Sequence, residues 1–167
     1  SWYTPRLGYK NLHVYVNKLA ALSTGDWLFI WNDDVLMRTR GWDDVLVACR
    51  YAQIGDPKVV NAAERFQRGL FPIVPRQWLD TLGHLSQNRH NDTYIFHVAC
   101  ALGIYWPTDI EVYHDRFDES GANDDATYRE REYASDDYFL PDNSVAPHVL
   151  TLINEDCAKL AQRLGHV

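Results

Sequence analysis

The sequence is poor in basic clusters, in cysteine and in long apolar runs, and each shortage excludes something. Lys and Arg number 16 against 23 Asp and Glu, for a net charge of −7. No basic block interrupts that balance, which argues against binding nucleic acid or a membrane surface through a positive patch. Cysteine occurs three times, as Cys49, Cys100 and Cys157. The number is odd, and the spacing matches neither a CxxC pair nor a Cys/His finger. Cys49 and Cys100 stand in apolar surroundings, so the set reads as reduced, buried thiols of a cytoplasmic protein. No apolar run reaches the length of a membrane span, and no signal peptide is recognisable. Neither GxGxxG nor a P-loop is present to cradle a phosphate. There is no initiator Met, and the chain opens on what reads as mid-domain sequence, so a fragment is expected.

What is present in excess is aromatic: six Trp and ten Tyr. Most such rings pack in a core, but aromatics beyond that need line ligand sites, where sugar faces stack on them. A chain of 167 residues amounts to one domain, residues 1–167, and can bury roughly 70% of its unfolded surface.

The organising stretch is Gly25 to Asp34, GDWLFIWNDD. Trp27 to Trp31 is a continuous apolar, β-prone run, which predicts a strand buried on both faces of a layered α/β sheet. It stops at Asn32-Asp33-Asp34, the place past a strand's carboxyl end where α/β folds bind ligands. Adjacent carboxylates repel unless a positive group lies beside them, and a hard divalent cation is the simplest such group. The alternative is that Asp33 and Asp34 form a turn or cap the next helix.

Around this stretch the pattern predicts helices over Asn11–Ser23, Thr39–Gln53, Pro75–Leu82 with Gly83 as its stop, Asp92–Gly103, Ala126–Tyr138 and Val149–Leu164. Strands are expected at Lys58–Asn61 and Asp109–His114. Leu70–Val74 is a further candidate that Pro72 demotes to an edge or a loop. Asp115–Asp125 reads as a polar loop. Strands alternating with helices give an α/β fold.

Two other places can converge on the acidic turn. One is Asp92, at the mouth of a helix, whose bland role is an N-cap. The other is His114, which ends the Asp109–His114 strand. If that strand and the Trp27–Trp31 strand are parallel neighbours, Asp33, Asp34 and His114 meet at one edge. Carboxylates plus an imidazole suit Mn²⁺, which takes both oxygen and nitrogen. A carboxylate off the metal, such as Asp92, is then a candidate general base.

Taken in order, these residues resemble the GT-A nucleotide-sugar glycosyltransferases of the family 2 type, from about Asn11 to Phe117. Asn17-Lys18-Leu19-Ala20-Ala21, Gly25-Asp26-Trp27 and Asn32-Asp33-Asp34 look like that family's helix, strand and DXD motif, with Asn32 in place of the first acid. His90-Asn91-Asp92 and Leu102-Gly103 resemble its "ED" segment and helix end, with Asn91 replacing Glu. Val112-Tyr113-His114 resembles its late histidine. The resemblance implies a GT-A-like, Rossmann-related mixed sheet flanked by helices and truncated on its nucleotide side. It implies Asp34, Asp33 and His114 as ligands of Mn²⁺ or Mg²⁺ and Asp92 as catalytic base. Asn32, Arg6 and Asn17 would face the nucleotide-sugar donor; Trp42 and Asn91 would face the hydroxyl acceptor.

The family's nucleotide-binding units precede the DXD strand, and only residues 1–26 stand before it here. Either the chain is a fragment, that half was lost, or another chain supplies it. A truncated sheet would expose an edge strand, through which a second copy can pair. Two competing expectations follow: a degenerate, non-catalytic binding or assembly module, and a metal-dependent hydrolase using the same acids.

Overall fold

The computed structural model describes residues 7–49, 59–64, 71–115, 129–130 and 137–165. The order of elements is α1 (Leu12–Leu22), β1 (Trp27–Phe29), β2 (Val35–Met37), α2 (Trp42–Ala48), β3 (Val59–Glu64), β4 (Phe71–Pro75), α3 (Arg76–Leu82), α4 (Asn91–Ala101), β5 (Tyr105–His114) and α5 (Pro147–Leu164). The protein is mixed α/β. The predicted loop at Asp115–Asp125 and helix at Ala126–Tyr138 lie almost wholly outside the described residues.

The strands form one sheet in the order β1-β4-β3-β5-β2. β3 and β5 are parallel, and the other three pairings are antiparallel. Going across the sheet, β1, β3 and β5 therefore run one way and β4 and β2 the other. Strands β1 and β2 occupy opposite edges although few residues separate them. Six residue steps span at most about 20 Å, while four strand spacings in a flat sheet amount to about 19 Å. The Val35 N–H donates to the Asn32 carbonyl at 3.3 Å, a turn that shortens the link further. The sheet must curl to bring its two edges together.

Strand alternation splits the core in two. Leu28, Val59 and Val74 face α1, α3, α4 and α5, with Trp78, Tyr94, Ile95, Val98, Val149, Ile153 and Leu160 filling that layer. Val35, Val60, Ala62, Phe71, Ile73, Ile110 and Val112 face the other way and pack on Leu46 of α2.

Several expectations are corrected. Strand β1 is an edge strand of three residues in which only Leu28 is buried, not a central strand buried on both faces. The reverse holds for β4, which is central and buried at every position. Pro72 is tolerated there because β1 ends opposite Ile73, so nothing on that side asks Pro72 for a hydrogen bond. Strand β2 was not expected. The strand ending at His114 begins at Tyr105, and its pairing with β3 is irregular between the Asn61↔Pro107 and Ala63↔Glu111 partners. Pro107 cannot donate to a ladder, and the bulge follows it directly.

Among the helices, α3 ends at Gly83, whose φ of 77° is the left-handed cap that glycine adopts without strain. Asp92 is not an N-cap: His90 holds that position and Asp92 lies in the first turn of α4. Helix α2 ends at Ala48, with an extended Cys49. The three cysteines are free, but Cys100 is exposed rather than buried.

Candidate functional site

The acidic turn is anchored at both ends by backbone pairing. Before β1, the Arg76 guanidinium donates from Nε and Nη2 to the Gly25 carbonyl at 2.9 and 2.8 Å. The Arg76 N–H donates to the Asp26 carbonyl at 2.8 Å. After the turn, the Asp115 N–H donates to the Asp34 carbonyl at 2.8 Å, and Val35 stands opposite His114 in the ladder. The β2–β5 pairing thus sets Asp34 beside the last residue of β5.

There His114 Nε2 lies 3.1 Å from Asp34 Oδ1, with the two side chains 18% and 11% exposed. The Phe71 ring meets the imidazole edge-on, with centroids 5.4 Å apart, so the pair sits on the α2 face. Two of the three expected metal ligands are therefore brought together. The agent is an antiparallel hairpin-like pairing, not the parallel neighbours expected: β1 and β5 are separated by β4 and β3. One carboxylate oxygen and one ring nitrogen at this separation fit a shared cation, because cis ligands at about 2.1 Å from a metal lie about 3 Å apart. Mg²⁺ and Mn²⁺ are commonly held by one or two protein groups with substrate phosphates completing the shell.

The other expected residues are elsewhere. Asp33 and Asn32 are exposed. Among the described residues, no group of three His, Cys, Asp or Glu could hold a metal, so Asp33 does not complete the set. Asp92 Oδ1 accepts from the Thr93 N–H at 2.7 Å and the Thr93 hydroxyl at 3.3 Å. Asp92 belongs to α4, which packs on the four-helix face, so the sheet stands between it and the Asp34–His114 pair. Its charge instead bears on Tyr138, whose phenol is pushed up first by burial and then by Asp92.

Asn17 Oδ1 accepts from the Leu85 and Ser86 N–H groups at 2.9 and 3.2 Å, and its Nδ2 donates to the Ser86 carbonyl at 2.7 Å. Its amide clamps α1 to the loop after α3. Trp42 packs edge-on against Phe29, with centroids 5.7 Å apart, under the α2 layer. Asn91 is buried; its Nδ2 donates to the Arg89 carbonyl at 3.0 Å, and its Oδ1 has no partner. Arg6 lies outside the described residues.

A second polar centre was not foreseen. Asp156 of α5 is 0% exposed. Its carboxylate accepts from His84 Nε2 at 2.8 Å, the Tyr94 hydroxyl at 2.6 Å and Gln87 Nε2 at 3.2 Å. Lys159 Nζ lies 3.6 Å away. An ionised carboxylate only accepts, so Nε2 of His84 carries the proton. Burial pushes the Asp156 carboxyl up, but the His84, Tyr94 and Gln87 donors outweigh it and hold the group below its ordinary value. The buried residues of α5 are Val149, Ile153, Asp156 and Leu160, whereas apolar spacing alone selects Cys157 and passes over Asp156. By accepting from α4 and from the loop after α3, the Asp156 carboxylate ties both to α5.

Compared with protein-family models, curated proteins and solved structures, the chain has no match. Among the described residues, no helix is long and apolar enough to cross a membrane.

Proposed function

We propose that this chain is a GT-A-like, metal-dependent glycosyltransferase domain that moves a sugar from a nucleotide-diphosphate donor to a hydroxyl acceptor. The observation that carries the reading is the Asp34–His114 contact, 3.1 Å across two strand ends and nearly withdrawn from water. Asp34 and His114 would hold Mn²⁺ or Mg²⁺. The bound cation supplies Lewis acidity for the departing diphosphate. Asp34 brings the charge that a hard cation needs, His114 adds a neutral ligand, and Phe71 keeps the imidazole in place. Asn32 and Asp33, exposed at the same turn, would meet the donor's hydroxyls. The base role of Asp92 is a separate assignment, since the acceptor must reach it past the sheet. An Asp92→Asn chain that keeps full turnover would remove Asp92 from the mechanism and leave the metal pair.

The edge position of β1 among the described strands supports pairing with a second copy of the chain, because a further strand can add there. The three free thiols support a reducing, cytoplasmic setting.

A non-catalytic module is the second reading, favoured by the sheet that separates Asp92 from Asp34 and His114. Thermal unfolding with Mn²⁺, with and without UDP or GDP, decides between them. A ligand that binds only the native state stabilises it by about 2.7 kcal/mol at a hundred times its dissociation constant. A nucleotide shift that requires both Mn²⁺ and Asp34 is expected for the glycosyltransferase. A metal shift alone, lost in Asp34→Ala, supports the module. If Asp34→Ala and the parent respond alike to Mn²⁺, the metal pair is refuted.

A further inference from the structure

Strand alternation places Trp27 and Phe29 on the α2 face, and Trp31 follows them two residues past the end of β1. The three rings nearest the acidic turn form an edge-on series. Phe29 and Trp31 have centroids 5.1 Å apart at 85°, and Phe29 and Trp42 are 5.7 Å apart at 61°. Trp42 and Phe29 are half-buried, but Trp31 is 43% exposed. The next two side chains, Asn32 and Asp33, are exposed, and Asp34 of the His114 pair comes directly after them.

We propose that Trp31 is a stacking platform for a pyranose ring, with Asn32 and Asp33 hydrogen-bonding its hydroxyls. The bound sugar's role as donor or acceptor rests on the glycosyltransferase reading, but the binding itself does not. The face of an indole is electron-rich, and the axial C–H groups of a pyranose present the matching weak positive surface. The perpendicular contact with Phe29 restrains the indole before any ligand arrives, so little side-chain freedom is lost on binding. A sugar hydroxyl both donates and accepts. The Asp33 carboxylate accepts, and the Asn32 amide can do either. A free phosphate is a poor occupant beside Asp33, because like charges meet there without a cation.

The test uses the whole chain in chelator, without nucleotide, so that it is independent of the metal pair. Methyl glycosides of glucose, galactose and mannose are titrated while the indole N–H signals are followed by NMR. The Trp31 signal is assigned as the one missing from Trp31→Phe. A single pyranose is expected to move that signal with a dissociation constant on the order of 1–10 mM. Trp31→Ala should weaken binding about tenfold or more, Trp31→Phe should retain part of it, and Asp33→Asn should weaken it less. An unchanged thermal midpoint in Trp31→Ala shows that the loss is local. Absence of any shift at the Trp31 signal, or equal binding by Trp31→Ala, overturns the proposal. So does a shift with uridine or guanosine but with none of the glycosides. Failure of sugar transfer alongside a positive titration refutes the glycosyltransferase reading and leaves the platform standing.

Discussion

The Tyr94 hydroxyl lies 2.6 Å from Asp156 Oδ2, a short charge-assisted hydrogen bond that joins α4 to α5 inside the core. Removing the carboxylate leaves the Tyr94, His84 and Gln87 donors without their acceptor in a dry environment. Asp156→Ala is therefore expected to cost about 3 kcal/mol or more, whereas Tyr94→Phe, which leaves the other donors in place, should cost about 1–2 kcal/mol. Urea unfolding measures both. A loss below about 1 kcal/mol in Asp156→Ala would show that the network is not a structural tie.

The same group shapes acid stability. Its folded carboxyl is held below the ordinary value, so its contribution is complete above the unfolded carboxylate pKa of about 4. It disappears as pH falls through the lower folded value. Asp156→Asn should flatten this acid limb of the stability curve, read as urea midpoint between about pH 5 and pH 2.

Histidine sets a second, milder limb. Burial holds His97 below its ordinary value, and burial does the same to His13, with Asp137 opposing it. Their neutral forms are favoured in the folded state, so stability is full above about pH 6.5 and declines as pH falls below it. His97 Nδ1 also lies 2.8 Å from the Tyr138 hydroxyl. His97→Gln is expected to lower stability at pH 7.5 yet reduce the slope between pH 7 and pH 5.5.

Asn17 reaches across from α1 to satisfy two buried N–H groups of the loop after α3. Asn17→Ala should cost about 2 kcal/mol. Hydrogen exchange should accelerate first at the Leu85 and Ser86 amides. Uniform acceleration through α3 and α4 would instead mean that the amide supports the whole helical layer.

Gly83 isolates a backbone effect. Its φ is +77°, and a Cβ added there would meet nothing within 4 Å. Gly83→Ala should therefore cost about 1–2 kcal/mol through conformation alone, and Gly83→Asn distinctly less. Equal costs for Ala and Asn would point to a packing term.

Local chemistry was legible wherever one residue dictates the backbone. Pro75 and Gly83 bracket α3 as expected, and α5 forms where its apolar spacing puts it, but its buried face is turned toward Val149 and Asp156 and leaves Leu150 exposed. What could not be read was strand order. The apolar run of β1 resembles a central strand, but burial there depends on which strands lie beside it, and those come from distant parts of the chain. Pro72 argued against a central β4 because a proline is harmful only where its missing N–H is needed. The ladder that decides this is set by β1. Strand β2 is too short for any periodicity to show.

At the site, sequence spacing brought Asp34 and His114 together for the wrong topological reason, and it left Asp92 on the far side of the sheet. Asp156 went unnoticed because a carboxylate next to Cys157 in α5 reads as one step off the buried stripe. Only its three donors, supplied by α4 and the preceding loop, reveal that it points inward.

The strand order also bears on how the chain is made. Neither β1 nor β2 pairs with the other: β1 waits for β4, and β2 waits for β5. At a synthesis rate of roughly 5–20 residues per second, the ribosome delivers each partner only seconds after the strand it completes. During that interval Trp27 and Phe29 lack the strand they pair with. The Asp34–His114 contact therefore cannot close until β5 has been made.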